Sequence, residues 1–246
     1  MCPQHFHEMS TANISDFPYH DLPESVEIDL NHYQQKYNWD CGLSCVLMVL
    51  PKEDREDFLS NFAGICKDEG FNKSTWTIDL CYLLKRYKIK HVYYTITFGI
   101  HPEHATNSFY DTILTKDESR INRRFDNAEK CGIKIKTASV TIEYILDQLR
   151  FGPVIVLTNT QLIICDRCKF NKMKTELRKL IPCVPKFQGH YIVLCGYSAN
   201  LRKIFYRNPT MYNHVCVMSM EVFEHARKSS GTDEDIIFVK TLENQI

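Results

Sequence analysis

Three features of the sequence predict an α+β fold. Residues 41–88 carry apolar positions at helical spacing, while from residue 154 onward the pattern changes to short β-branched and aromatic runs. Between these regions the chain does not alternate strand and helix as a βαβ unit would, so helices and strands segregate. The 246 residues are 44% hydrophobic and 12% aromatic, enough to bury a substantial core. No linker divides them, which points to one domain over 26–246 after a polar, flexible N-terminal arm at 1–25.

The elements follow in order. Residues 26–33 read as a short strand or extended lead-in. Asp40 stands before a ten-residue apolar run that Pro51 stops, which predicts a buried helix with Asp40 as its N-cap. Phe58, Leu59, Phe62 and Ile65 give residues 52–66 one amphipathic helix. A third helix opens near Trp76 and turns Ile78, Leu80, Leu83, Leu84 and Tyr87 inward. Residues 91–98 form a strand, 117–130 a charged amphipathic helix, and 133–136 an alternating edge strand. Thr141 begins a helix that ends before Gly152 and Pro153. Further strands are expected at 154–159, 162–166, 191–197, 203–206 and 236–241, with a helix at 219–228 before the last.

Charge and cysteine content narrow the function. Thirty Lys+Arg balance thirty Asp+Glu for a formal net charge of +0, against a nucleic-acid partner and against attraction to acidic membranes. No run approaches the 18 apolar residues of a membrane span, and the first twenty residues lack a secretory pattern. Eleven cysteines, an odd number, are expected as reduced thiols in a cytoplasmic or nuclear setting.

One constellation carries reactive chemistry. A thiol at Cys41, at the start of the predicted helix, would meet unpaired N–H groups and the positive end of the dipole, which favour thiolate. Gly42 leaves room for close approach, and Gln35 lies six residues upstream as a candidate oxyanion donor. His190 begins a strand, and Asn208 ends the next one, so a hairpin would return Asn208 to His190. Asn208 would orient the imidazole and His190 would exchange the thiol proton. Trp39, Asp40 and Gly189 flank these residues as candidate substrate contacts. Singly, each has an ordinary structural reading: buried thiol, core imidazole, turn; the ordered set is what argues for a site.

The residues Gln35, Cys41-Gly42, Gly189-His190-Tyr191-Ile192-Val193-Leu194 and Asn208-Pro209 resemble papain-like cysteine peptidases of the double-glycine type. That resemblance implies a papain-like fold, N-terminal helices packed on a C-terminal antiparallel sheet. Those enzymes often carry Asp as the third member, and Asn208 departs from this toward papain itself. A more extensive resemblance begins near residue 30. It rests on Gln34-Gln35, Trp39-Asp40-Cys41-Gly42-Leu43, Trp76-Thr77-Ile78-Asp79-Leu80, Asn107-Ser108-Phe109-Tyr110, the Gly189–Leu194 run and Gly231-Thr232-Asp233-Glu234-Asp235-Ile236. On these the chain is similar to the eukaryotic guanylyl cyclase domain-containing family, whose name implies conversion of GTP to cyclic GMP.

Three functions are therefore open. The leading expectation is a cysteine hydrolase acting on a peptide or protein substrate without a cofactor. The others are a cyclase or GTP-binding protein, and a catalytically silent binding module on the same fold. A cyclase of the two-metal kind needs paired carboxylates, and Asp233, Glu234 and Asp235, or Asp111 with Asp117, read more readily as solvated loops or helix caps. Cys165 and Cys168 form a CxxC pair with Cys183 fifteen residues on, which fits zinc only with a fourth ligand and otherwise reads as free thiols; no metal site is assigned. A basic segment at 167–179 reads as a solvated loop or as the rim of an acidic substrate's path.

Overall fold

A computed structural model describes residues 22–71, 73–101, 109–168 and 187–240, with the side chains of 111–113 and 115 excepted. Most of the expected arm, the segment 169–186 with Cys183, and Asn107-Ser108 lie outside the described residues. The architecture is the α+β class that the segregated patterns predict.

An eight-stranded sheet forms its centre. The strands are β1 (Ser25–Glu27), β2 (His91–Thr95), β3 (Lys134–Thr137), β4 (Val154–Asn159), β5 (Gly189–Ser198), β6 (Lys203–Arg207), β7 (Cys216–Ser219) and β8 (Ile236–Val239). Their order is β3-β2-β8-β4-β5-β6-β7, with β1 paired to β5 off this path. Pairing is antiparallel except between β2 and β3.

The helices among the described residues are α1 (Cys41–Val49), α2 (Lys52–Ser60), α3 (Phe62–Asp68), α4 (Thr77–Arg86), α5 (Asp111–Asn127), α6 (Ile142–Gln148) and α7 (Met220–Arg227). Strand alternation sorts the core into two halves. Tyr191, Val193 and Cys195 of β5 pack with Leu43, Leu47, Leu80, Leu84, Ile121 and Phe125, on the face covered by α1 to α5. Ile192 and Leu194 point the other way, into a cluster with Ile145, Leu146, Met220 and Phe223 of α6 and α7. Helices thus cover both faces of the sheet, which is why all six residues of β4 are buried.

Two glycines allow close approaches that no side chain would. A Cβ on Gly196 would sit 2.1 Å from the Val26 carbonyl oxygen, where β1 lies against an irregular step in β5. A Cβ on Gly42 would stand 3.0 Å from Leu80 and 3.1 Å from Tyr191, so α1 settles tightly between α4 and β5.

Several local expectations need correction. The helix expected over 52–66 breaks at Asn61, whose side-chain Nδ2 donates to Asp57 Oδ1 at 2.8 Å, a local bond that competes with helix continuation. Asp40 does not cap α1 with its side chain. Its carboxylate instead accepts from the Lys36 and Tyr37 backbone N–H groups at 3.1 and 3.0 Å, pinning the preceding loop. The strand expected at 162–166 is absent, because Asn159 Oδ1 accepts from Gln161 N at 3.1 Å and turns the chain at the end of β4. Strand β7 was not foreseen; four residues between polar loops give too short a pattern to read.

Candidate functional site

Cys41 is the first residue of α1 and is 8% exposed. The backbone N–H groups of Tyr191 and Gly42 point at its thiol and favour thiolate, yet burial outweighs them and the nearby Asp40 charge adds to it. The Cys41 thiol is pushed up to about 11, opposite to the activation expected of a helix N-terminus.

The hairpin of β5 and β6 does return Asn208 to His190. Asn208 Oδ1 lies 2.9 Å from His190 Nε2. Burial holds the His190 pKa below its ordinary value, and the Asn208 bond only partly opposes this. By alternation His190 projects with Ile192 and Leu194, whereas Cys41 packs in the cluster of Tyr191 and Val193. Among the described residues no hydrogen bond joins Cys41 to His190. Burial thus disfavours the charged form of both groups, opposite to a thiolate–imidazolium pair.

Gln35 reaches the same end of the sheet, because its N–H donates to the Pro209 carbonyl at 2.9 Å. Its side-chain Nε2 donates to the Tyr37 carbonyl at 2.7 Å, so the amide serves its own loop. Trp39 and Gly189 line a pocket of about 380 Å³ that also reaches Cys41, Trp76, Tyr110, Gln188, Tyr191 and Asp235. Asp40 is buried behind it, 3% exposed, and holds the loop that carries Trp39. His190, Asn208 and Gln35 do not line this cavity. A larger hollow of about 690 Å³ near β3 has only Asp126, Glu129 and Lys134 as ionisable lining groups.

The polar floor of the pocket comes from residues assigned elsewhere by sequence reasoning. The sequence reads Asp235 as part of a solvated loop or a helix cap, whereas it is 8% exposed. Its Oδ1 accepts from the Tyr93 hydroxyl at 2.8 Å and its Oδ2 from Thr77, whose hydroxyl also meets Tyr191 OH at 2.8 Å. Burial, reinforced by the Asp233 charge, raises the Asp235 pKa to about 7 against the pull of these hydroxyls.

Behind it a second network locks α4 to α5. Asp117 accepts from Ser74 and, at 3.0 Å, from Trp76 Nε1. Asp79 accepts from the Trp76 backbone N–H at 2.9 Å and pairs with Arg120 and Arg124. The Trp76–Leu80 and Gly231–Ile236 stretches, quoted above only for resemblance, thus meet at one place. Their signal was there, but no local spacing says that a carboxylate at 235 faces a hydroxyl at 77.

The comparisons with known proteins bear on this geometry. A family described as guanylylate cyclase matches residues 30–239. The chain belongs to the guanylyl cyclase family. It is also 37% identical over 240 residues to "Guanylyl cyclase 1" of Arabidopsis thaliana, covering 94% of this chain and 83% of that relative.

A two-metal cyclase needs carboxylate oxygens free to coordinate hard cations. In this family member Asp235 offers little, since both its oxygens already accept hydrogen bonds from Tyr93 and Thr77. Among the described residues no group of three or more acidic side chains gathers its oxygens within 4.8 Å of one another. The pocket offers two carboxylates, Asp233 and Asp235, and with both Asp235 oxygens engaged it lacks the free pair that a two-metal site needs. No helix among the described residues is long and apolar enough to cross a membrane.

Proposed function

We propose that this protein binds a guanine nucleotide in the Trp39–Trp76–Asp235 pocket and acts on GTP there. The observation that carries this reading is the pocket itself: indole walls from Trp39 and Trp76, amides of Asn38 and Gln188, and buried Asp235 in one cavity. Aromatic walls stack on a base, and amide groups match the edge of a purine, which leaves the carboxylate for the ribose. Family membership and the name of the plant relative support the same substrate. Exposed Lys73 lines the cavity as a cation for phosphate.

For cyclisation, the ribose 3′-oxygen attacks the α-phosphorus as the bond from α-phosphorus to the bridging oxygen breaks and pyrophosphate leaves. The 3′ proton needs an acceptor, and Asp235, with a pKa of about 7, is the group we assign. Calorimetric titration with GTP, with ATP as control, tests binding, and an assay for cyclic GMP tests turnover. Trp39→Ala is expected to weaken GTP binding by about 1–3 kcal/mol, roughly fivefold to 150-fold, if a base stacks on it. Absence of GTP binding in the wild type would overturn the reading.

A second reading is favoured by the His190–Asn208 bond and by Cys41 at the α1 terminus. It is a cysteine hydrolase for a peptide or protein amide, with Gln35 as oxyanion donor. Alkylation of Cys41 by iodoacetamide separates the two. With the thiol pushed up to about 11, modification is expected to be slow below pH 8 and unchanged by His190→Ala. Fast reaction below about pH 7, slowed by His190→Ala, would favour the hydrolase.

A further inference from the structure

On the face of the sheet opposite the pocket, four soft ligands converge. Cys165 and Cys168 follow β4, while Cys216 is the first residue of β7. All three thiols are buried, and their sulfurs lie within 4.8 Å of one another. Cys168 Sγ is 3.9 Å from Cys216 Sγ. His214 turns Nε2 to the same point, 3.2 Å from Cys168 Sγ and 3.4 Å from Cys216 Sγ.

A tetrahedral zinc with Zn–S of about 2.3 Å and Zn–N of about 2.0 Å holds its ligands roughly 3.5–3.8 Å apart. The separations among Cys168, Cys216 and His214 bracket that spacing, and Cys165 Sγ lies within 4.8 Å of both other sulfurs but farther from His214, so metal binding would draw the imidazole in toward it. We propose that Cys165, Cys168, His214 and Cys216 bind a structural zinc ion.

Four protein ligands close the coordination sphere, which marks a structural rather than a catalytic site. The surroundings suit thiolates. Backbone N–H groups of Arg167 and Val217 point at Cys165 Sγ. The buried Tyr206 hydroxyl lies beside the same sulfur, placed to donate to it when metal is bound. A disulfide between any two of the thiols would leave the third and the imidazole unused. The CxxC pair is legible in the sequence; its companions among the described residues are Cys216 and His214, and Cys183 lies outside them. The ion ties the chain after β4 to the connection between β6 and β7, which begins at Asn208. Strand β7 is already fastened to the chain after β4 by the bond from Asp166 N to Val217 O at 2.8 Å.

The test is elemental analysis of the full chain, purified without chelators from zinc-supplemented cells. About one zinc per chain is expected, with at least a tenfold loss in Cys168→Ser and Cys216→Ser and no loss in Cys131→Ser, an exposed thiol. Should the serine variants fail to fold, the wild type still decides. Replacing its metal with cobalt should give the visible bands of tetrahedral thiolate coordination, and a strong zinc chelator should lower its Tm. Wild-type protein without metal and without a cobalt spectrum would overturn the proposal. So would zinc that survives both serine substitutions, or peptide masses showing a disulfide among these three cysteines.

Discussion

Arg120→Met is expected to destabilise the protein by about 3–5 kcal/mol at pH 8, the usual cost of stripping the partner from a buried charge. Arg120 is the guanidinium shared by Asp79 and Asp117, whose side chains are 0% exposed. Without it Arg124 remains as the cation on Asp79, and Arg124 also serves Glu69 at 2.6 Å. Methionine fills much of the same volume, so the loss reads charge rather than a cavity. The penalty should shrink as pH falls. Burial already raises the Asp79 pKa, and losing a cation raises it further, so the variant is least stable where Asp79 must be ionised. Urea midpoints at pH 8 and pH 5 check this. A loss below about 1 kcal/mol at pH 8 would mean that the network is solvated.

Asp235 is expected to make wild-type stability fall as pH rises toward 8. Its folded pKa of about 7 stands above the ordinary 3.8, so the folded protein holds a proton that the unfolded chain releases. The stabilisation is complete below about pH 4 and is lost as pH passes through 7. At 1.36 kcal/mol per unit, the full effect is at most about 4 kcal/mol. Buried His190 works in the opposite sense, because its pKa lies below 6.5 in the folded state and its neutral form is favoured. The quantity to measure is thus the difference between wild type and Asp235→Asn. Asparagine can still accept from Tyr93 and donate to Thr77, so the variant should keep the fold and flatten the slope between pH 5 and 8. Equal slopes would assign the titration to another group. The same substitution removes the proton acceptor proposed for GTP, so turnover should fall while the fold persists.

Local pattern carried much of the fold. The apolar run of α1 stopped by Pro51, the helical spacing of α4, the β-branched runs in β2, β4, β5 and β8, and the helix starts near Thr141 and Ser219 are readable because each depends on residues a few positions apart. The His190–Asn208 pair was readable for a similar reason. A hairpin between adjacent strands converts sequence distance into register. Where a short polar side chain redirected the backbone, as at Asn61 and Asn159, the pattern misled.

Local pattern suffices for the α+β class, the resemblance to the guanylyl cyclase family and the placement of Cys41 at a helix start. Tertiary structure alone decided whether that helix end activates its thiol. Desolvation depends on what α4 and β5 lay over the residue, and it overrides the helix dipole there. It alone brought Asp235 to Thr77 and Tyr93, 158 and 142 residues away, and His214 and Cys216 to a CxxC pair 46 and 48 residues before them. Such contacts are products of strand order, and strand order is set by the competition of whole faces for burial rather than by any local spacing.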